Sequence, residues 1–188
     1  MRKLKLQMQI SVDGYVAGPN GEMDWMVWDW DDGLMEYVSA LTEPVDLILL
    51  GRKLAEGFIP AWKERSGGVS DEPEAFVRFV NETPKVVFSR TLDQSDWENA
   101  TLAKGDLAEE IGKLKAASGG DIIAYGGGEF VSDLIRNGLI DEYHLFVNPA
   151  AIGGGMSIFR EQSKAPLKLV SATPFECGIV ALFYAPAG

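Results

Sequence analysis

The sequence predicts an α/β fold: one mixed, mainly parallel sheet flanked by helices and closed by an antiparallel C-terminal hairpin. Two observations lead to this class. Short apolar runs typical of buried strands alternate with segments whose apolar residues recur at helical spacing, which is the pattern of parallel βα units. The last two strand-like runs, 167–173 and 179–185, are separated only by a short turn around Cys177 and Gly178, and this spacing is typical of a hairpin.

Each predicted element in the first half of the chain has a local sequence signal. Residues 3–10 alternate between apolar and polar side chains, which predicts a strand with one buried face. Asp31 or Asp32 precedes apolar residues at helical spacing and marks a helix start. Two prolines and two glycines within residues 60–73 predict a loop. The predicted elements are, in order, a strand at 3–10, a helix at 31–42, a strand at 46–50 with a short helical stretch after it, a loop at 60–73 and a helix at 74–82.

The second half contains a strand, three glycines and an amphipathic helix in direct succession. Residues 122–124 form a short apolar run, and the helix after the glycines is expected to stop at Asn137-Gly138. Asp106 is expected to cap an earlier helix. The predicted elements are, in order, a strand at 85–88, a short strand at Leu102, a helix after Asp106, the strand–glycine–helix unit at 121–139, a strand at 142–148 and the closing hairpin.

The composition indicates one domain and excludes several kinds of partner. A chain of 188 residues that is 46% hydrophobic fits a single domain spanning residues 1–188. No apolar run is long enough to cross a bilayer, and the N-terminus turns polar too soon for a signal peptide. A net charge of −11 argues against nucleic acid and against an anionic membrane surface as partners.

The single cysteine and the single histidine limit the chemistry further. Cys177 excludes an internal disulfide and fits a reducing cytoplasm. His144 lies in a strand-like run, where a structural role is expected. One cysteine and one histidine nearly exclude a zinc site of the usual kind, and a Ser-His-Asp hydrolase is not expected either. We therefore predict a cytoplasmic protein with no metal site.

Three predicted strands end in residues suited to binding anions. These are Gly51-Arg52-Lys53, Ser89-Arg90-Thr91 and the glycines at 126–128. Each could also be an ordinary turn that needs glycine for its dihedral angles or carries a solvated arginine. Because the carboxyl ends of parallel strands meet at one edge of a sheet, the three together predict a site for a dinucleotide with an additional phosphate, such as NADPH. A mononucleotide or a flavin would need fewer of them.

These motifs, in this order, resemble those of the dihydrofolate-reductase-like superfamily. The similarity rests on Ser-Val-Asp-Gly-Tyr-Val-Ala-Gly at 11–18, Leu-Gly-Arg-Lys-Leu-Ala-Glu at 50–56, Val-Phe-Ser-Arg at 87–90 and Tyr-Gly-Gly-Gly at 125–128. It extends over nearly the whole chain. The sequence is most similar to small stand-alone proteins related to the reductase domain of the riboflavin-biosynthesis deaminase–reductase, and the mainly parallel sheet of that superfamily agrees with the fold predicted above.

The resemblance implies a cofactor-binding role for each motif. Residues 51–53 would hold cofactor phosphates, residues 89–90 the adenosine 2′-phosphate, and residues 125–128 would lie at the pyrophosphate with the next helix opening behind them. Residues 17–18 would flank the nicotinamide. The implied cofactor-binding residues are Ala17, Gly18, Gly51, Arg52, Lys53, Ser89, Arg90, Tyr125, Gly126, Gly127, Gly128, Glu129 and Phe130.

The resemblance also implies an acidic residue near the start of the helix after the first loop. Asp31 and Asp32 match best, with Asp24 as a further candidate, and a helix N-cap is the alternative for either of the first two. Asp13 fits a loop-structuring role because Asp-Gly is a turn pair. The tryptophans at 25, 28 and 30 either line a pocket for a flat heterocycle or make core or dimer contacts.

We therefore expect an NADPH-dependent reductase that acts on a small heterocyclic or carbonyl/imine substrate, such as a pterin or a riboflavin precursor. The alternative is a ligand-binding protein that retains the cofactor cleft without catalysis. Leu54 stands where the folate enzymes carry a threonine, and the segment that binds ribose phosphate in the riboflavin-pathway reductase has no counterpart after the second strand. These departures leave the substrate open. The tryptophans and the closing hairpin favour a homodimer.

Overall fold

The computed structural model describes residues 1–68, 72–160 and 164–188. Within these residues the chain forms one eight-stranded sheet with helices on both faces. The strands are β1 Leu4–Ile10, β2 Val45–Gly51, β3 Lys85–Phe88, β4 Ala100–Ala103, β5 Asp121–Ala124, β6 Glu142–Val147, β7 Leu167–Pro174 and β8 Val180–Pro186. The helices are α1 Asp32–Thr42, α2 Arg52–Ser66, α3 Glu74–Glu82, α4 Leu107–Ala116 and α5 Gly128–Arg136.

The strand order is β4-β3-β2-β5-β1-β6-β8-β7. All neighbouring pairs from β4 to β6 are parallel, and β8 runs antiparallel to both β6 and β7. The predicted fold class, a mainly parallel sheet with an antiparallel C-terminal hairpin, is confirmed. The chain returns from β4 to place β5 between β2 and β1, so β2, β3 and β5 end side by side at one edge of the sheet.

The helices divide into two layers because successive parallel strands are joined by right-handed crossovers. Apolar residues of α4 and α5, including Ile111 and Leu134, pack on one face of the sheet. Residues of α1, α2 and α3, such as Leu41 and Ile59, pack with Ile48 on the other face. The helices α4 and α1 begin at their predicted cap residues, since the Asp106 and Asp31 side chains accept hydrogen bonds from the first-turn N–H groups.

The prediction that β1 buries only one face is wrong. β1 lies between β5 and β6 in the middle of the sheet, with helices above and below, so its polar alternate residues are covered as well. Lys5 and Gln7 are 6% and 7% exposed. Lys5 forms an ion pair with Asp121, at 3.0 Å, and donates a hydrogen bond to the Leu41 carbonyl oxygen. A single strand's alternation cannot show that a second layer of helices will cover its polar face.

The predicted loop at 60–73 is wrong over its first part, because α2 continues to Ser66 with Pro60 inside it. The continuation is stabilised by packing: the ring of Trp62 contacts Phe58 within α2 and Phe76 of α3, with ring centroids 5.9 and 5.3 Å apart. Residues 69–71 of this prediction lie outside the described residues. No helix in the described part of the chain is long and apolar enough to span a membrane.

Candidate cofactor and substrate site

The structure brings the three anion-type motifs together at the carboxyl edge of the sheet. β3, β2 and β5 are consecutive parallel strands, so Ser89, Gly51 and the 126–128 glycines follow neighbouring strand ends. The Gly51 N–H donates to the Gly126 carbonyl oxygen at 3.5 Å. The motifs after β2 and β5 are thus joined directly, and the motif after β3 follows the neighbouring strand.

Glycine is required at two of these positions by close packing and by the backbone. A Cβ atom at Gly51 would lie 2.8 Å from the Cβ atom of Phe130 and 3.7 Å from the Gly127 Cα atom, which leaves no room for a side chain. Gly127 adopts φ of 90°, a conformation that other residues rarely take. The Phe130 ring stacks on Phe88 with centroids 4.8 Å apart. Phe130 therefore joins β3 to α5 beneath the glycine corner.

Two of the helices that begin at this edge, α2 and α5, have no side-chain caps. α2 begins after Gly51 and α5 after Gly127, and neither N-cap residue supplies a side-chain hydrogen bond. In contrast, α1 and α4 are capped by Asp31 and Asp106. The first-turn N–H groups of α2 and α5 are consequently available to an anion, and the helix dipoles favour negative charge there.

The cations of the site differ in how far they are already neutralised. Arg52 pairs with Glu56 one turn along α2, at 2.6 Å, and Lys53 of α2 pairs with Glu129 of α5, at 3.2 Å. The exposed Arg90 takes part in no salt bridge among the described residues. Arg90 is thus the cation with the least internal competition for a phosphate.

Ser89 organises the loop that carries Arg90. Its side chain is buried, and its hydroxyl oxygen accepts hydrogen bonds from the N–H groups of Thr91 and Leu92 at 3.2 and 3.0 Å. The Ser89 N–H donates to Ala103 of β4. Among the described residues the Ser89 hydroxyl group donates no hydrogen bond, while its oxygen atom fixes the turn after β3.

The loop after β1 is held against a second cluster of glycines, at residues 153–155. The Asp13 carboxylate accepts hydrogen bonds from the N–H groups of Ile152 and Gly153, at 3.1 and 2.7 Å, and from the Ser11 hydroxyl. These hydrogen bonds lower the pKa of Asp13, with the Ser11 contact contributing most. The loop-structuring role predicted for Asp13 is confirmed, although its reach to residues 152–153 could not be read from the sequence.

Ala17 and Gly18, the residues expected beside the nicotinamide, lie next to this contact. Ala17 forms an antiparallel bridge with Met156, through hydrogen bonds of 2.8 Å from Met156 N–H to Ala17 and from Val16 N–H to Met156. A Cβ atom at Gly155 would overlap the Ala17 carbonyl oxygen. The absence of a side chain at Gly155 therefore allows the two loops to approach.

The three candidate carboxylates are either hydrogen-bonded to the backbone or exposed to solvent. Both oxygens of Asp31 are engaged: one accepts from the Leu34 N–H at 2.9 Å and the other from the Cys177 N–H at 2.8 Å. These bonds, first the one from Cys177, lower the pKa of Asp31 and make it a poor proton donor. The N-cap alternative is the role that this geometry supports for Asp31. Asp32 and Asp24 are exposed to solvent.

The tryptophans at 25, 28 and 30 have different environments. Trp30 packs edge-to-face on Phe146, with centroids 6.1 Å apart, and its indole N–H donates to the Val27 carbonyl oxygen. Trp25 is half-buried, and Trp28 is 59% exposed. Trp30 is therefore a partly buried residue that packs against the core, whereas a pocket or dimer contact for Trp28 stays a prediction.

His144 has the structural role expected of it. Its Nδ1 atom lies 2.9 Å from the Tyr37 hydroxyl, its ring stacks on Phe183, and burial lowers its pKa. Its strand neighbour Gln7 is different: the Gln7 Oε1 atom is buried and has no hydrogen-bond partner in the described structure. The Tyr125 hydroxyl, at the end of β5, shares this property. Tyr125 lies in the predicted glycine motif, whereas the alternation of residues 3–10 predicted an exposed face for Gln7.

Comparison with known proteins adds a family and a set of structural neighbours. Residues 2–181 match the family model described as the RibD C-terminal domain. The uncharacterized protein YyaP of Bacillus subtilis (strain 168) is 32% identical over 97% of this chain and 94% of its own length.

Two solved structures share the fold. A Shewanella sp. PV-4 protein assigned to riboflavin biosynthesis superimposes with a TM-score of 0.75 at 23% identity, over 99% of both chains. Dihydrofolate reductase from Enterococcus faecalis, solved with NADP(H), gives a TM-score of 0.63 at 13% identity, over 99% of this chain and 97% of the reductase.

Proposed function

The chain belongs to the RibD C-terminal domain family, and from this premise we propose that it is an NADPH-dependent reductase of a small heterocyclic or carbonyl/imine substrate. One observation carries the proposal: two uncapped helix N-termini, a glycine corner and Arg90 follow three neighbouring strand ends. A dinucleotide with a third phosphate matches that combination of donors and charge.

The residues at the edge fit NADPH in chemistry as well as in position. Gly51 and Gly127 let the starts of α2 and α5 pack side by side, and the first turns of these two helices offer N–H donors to a pyrophosphate. We assign Arg90 to the adenosine 2′-phosphate, with Arg52 and Lys53 at the remaining phosphates. The similarity to a reductase solved with NADP(H) supports the choice of cofactor.

When bound, NADPH supplies the hydride, so the protein's tasks are to bind, orient and exclude water. We assign the orientation of the nicotinamide to Ala17 and Gly18, which the Met156 bridge and the Asp13 hydrogen bonds hold in place. Asp31 is committed to capping α1. Of the remaining carboxylates, Asp32 is adjacent to this cap and Asp24 lies in the preceding loop; both are open to water.

A second candidate function is cofactor binding without catalysis. The observation that favours it is the state of the carboxylates: Asp31 is fully hydrogen-bonded, and Asp32 and Asp24 are solvated rather than held in a pocket. Saturable NADPH binding with no NADPH oxidation across a panel of pterins, pyrimidines and aldehydes would support binding without catalysis over the reductase function.

The experiment that tests the proposal is a fluorescence titration with NADPH and NADH. The wild type should bind NADPH in the micromolar range and NADH more weakly. Arg90→Ala should weaken NADPH by about 1.5–3 kcal/mol, roughly 10- to 150-fold, because a charge-assisted hydrogen bond to phosphate is lost, and should leave NADH unchanged. Arg136→Ala, an exposed arginine at the far end of α5, is the matched control. Absence of saturable NADPH binding would rule the proposal out.

A further inference from the structure

A cavity of about 500 Å³ lies at the amino edge of the sheet, away from the proposed cofactor site. Its walls come from α2, the last turn of α3, the first residue of β3 and the loop between β3 and β4. Cavities that bind small molecules have volumes of about 300–1,000 Å³. Lys85 begins β3 at this edge and Ser89 follows β3 at the other, so the two sites are about 13 Å apart along the strand, at about 3.3 Å per residue.

Lys85 lines this cavity and is only 4% exposed. Its side chain lies on the same face of β3 as that of Val87, which packs with Ile59 of α2. The Lys85 Nζ atom donates to the backbone carbonyl oxygens of Thr83, at 2.7 Å, and Asn81, at 3.4 Å. Lys85 takes part in no salt bridge among the described residues. It is therefore a buried amine whose hydrogen-bond partners are uncharged.

These two hydrogen bonds leave one position on the Lys85 nitrogen unused. A neutral amine has two N–H groups and one lone pair, so the two carbonyl oxygens satisfy its donors and the lone pair remains. Burial lowers the pKa of Lys85 to about 8, because the charged form loses its hydration, and a larger fraction of this amine is neutral at pH 7 than of an exposed lysine. Capping of the last α3 carbonyl groups explains the two hydrogen bonds but not the cavity beside them.

The charges around the cavity disfavour an anionic ligand. Besides Lys85, the charged side chains that line it are those of Lys63, Asp96 and Glu98. Lys63 pairs with Glu98 at 2.8 Å, and Asp96 takes part in no salt bridge among the described residues. A carboxylate or phosphate entering the cavity would be repelled by Asp96, whereas a neutral compound would not.

Two tryptophans give the cavity aromatic walls. Trp62 of α2 is held between Phe58 and Phe76, with ring centroids 5.9 and 5.3 Å away. Trp97, in the loop before β4, packs against the core cluster under α2. Both indole rings line the cavity and are only partly buried, so each has surface left for a ligand. Aromatic surfaces of this kind favour a planar ring.

We propose that this cavity binds a neutral aromatic aldehyde, which forms a covalent imine with the Lys85 amine. The Nζ lone pair attacks the carbonyl carbon, the carbonyl oxygen leaves as water together with the two N–H protons, and a C=N bond replaces the C=O bond. Uptake of one proton from solvent gives a cationic imine, whose N–H group donates to the Thr83 carbonyl oxygen. Nothing is oxidised or reduced in this step, and it is independent of the proposed reductase function.

The test is reductive trapping on the full chain at pH 7 with 2-naphthaldehyde as the probe. Sodium cyanoborohydride converts an imine into a stable secondary amine, and peptide mass spectrometry locates the naphthylmethyl group. Lys85 should be modified at least about 10-fold faster than the exposed Lys113, because each unit by which a lysine pKa is lowered raises its neutral fraction about tenfold.

Two controls assign the reaction to the cavity. 2-Naphthylmethanol has the same ring system but no carbonyl group, so an excess of it should occupy the cavity and slow the modification of Lys85 without affecting Lys113. Lys85→Met should abolish the fast reaction. Lys113→Met, which removes an exposed lysine of α4, is the matched control and should retain it.

The outcomes separate this inference from the proposed function. The trapping is done without NADPH, so it tests the cavity whether or not the cofactor binds. Modification spread evenly over exposed lysines, no protection by 2-naphthylmethanol, or a fast reaction that survives Lys85→Met overturns the inference. Mapping in the wild type needs no variant, so the result stands even if Lys85→Met fails to fold. An unreactive Lys85 together with a destabilised Lys85→Met would show that the amine only caps α3.

Discussion

Replacing Gly155 by alanine tests whether the contact between the two loops holds the first of them in place. The new Cβ atom would overlap the Ala17 carbonyl oxygen and would lie 3.3 Å from the Gly18 Cα atom. Both are backbone atoms, so a side-chain rotation cannot relieve the clash. The loop carrying Ala17 and Gly18 must therefore move away from the loop at 153–155.

The loss of unfolding free energy is similar whether the two loops separate or stay together. If the loops separate, the two hydrogen bonds that join Met156 to Val16 and Ala17 are lost. At about 0.5–1.5 kcal/mol each, they sum to about 1–3 kcal/mol of unfolding free energy. If the loops stay together, overpacking costs about 1–3 kcal/mol.

The assay is urea unfolding of Gly155→Ala beside Gly154→Ala, followed by NADPH titration of both variants. A Cβ atom at Gly154 meets no atom within 4 Å, so this neighbour is the matched control. Both substitutions reduce the entropy of the unfolded chain equally, so the difference between them reports the clash together with the backbone strain of an alanine at the φ of 158° of Gly155. We expect Gly155→Ala to be less stable by the amount above and to bind NADPH more weakly. Equal unfolding midpoints for the two variants would refute the reasoning.

Two further predictions concern charged groups. Asp31→Asn should lower the unfolding midpoint at pH 7 relative to Asp32→Asn, because the asparagine cannot reproduce the charge-assisted bonds to Leu34 and Cys177. These bonds lower the pKa of Asp31 below its ordinary value of 3.8. The stabilisation that the ionised carboxylate gives the folded state is therefore complete above pH 3.8 and is lost as the pH falls through the pKa of the folded state. The denaturation curves of the wild type and of Asp31→Asn should consequently converge in acid. Burial lowers the pKa of Lys85 from 10.5 to about 8. Between these two pH values the lysine is protonated in the unfolded state and neutral in the folded state. The free energy of unfolding should therefore rise with pH in this range. Lys85→Met should abolish that rise, and unfolding midpoints that climb equally in both proteins from pH 8 to 10 would contradict the assignment.

The sequence predicted those features whose signals lie within a few residues of the chain. Asp31 and Asp106 cap their helices through N–H groups two or three positions away, and the glycines at 126–128 follow directly on a buried strand. The fold class also followed, because alternation of strands and helices restricts the possible layers. For the same reason the sequence could indicate that three strand ends share one edge.

The course of the chain through residues 60–66 could not be predicted in this way. Pro60 is locally a helix breaker, and two glycines follow soon after it. The packing of Trp62 against Phe76 of α3 stabilises the helix regardless, and that contact joins segments whose relation is set by the sheet. Local propensity was therefore overridden by tertiary packing.

The amino-acid sequence by itself determined the order of the elements, the capped helix starts and the chemistry carried at each strand end. Only the tertiary structure decided that β5 lies between β2 and β1, that the Asp13 carboxylate binds the N–H groups of residues 152–153, and that Gln7 is buried without a partner. The physical reason is separation along the chain. Caps and turns are hydrogen-bonded between near neighbours, whereas these contacts join residues more than about 70 positions apart or depend on which strand and helix cover a side chain.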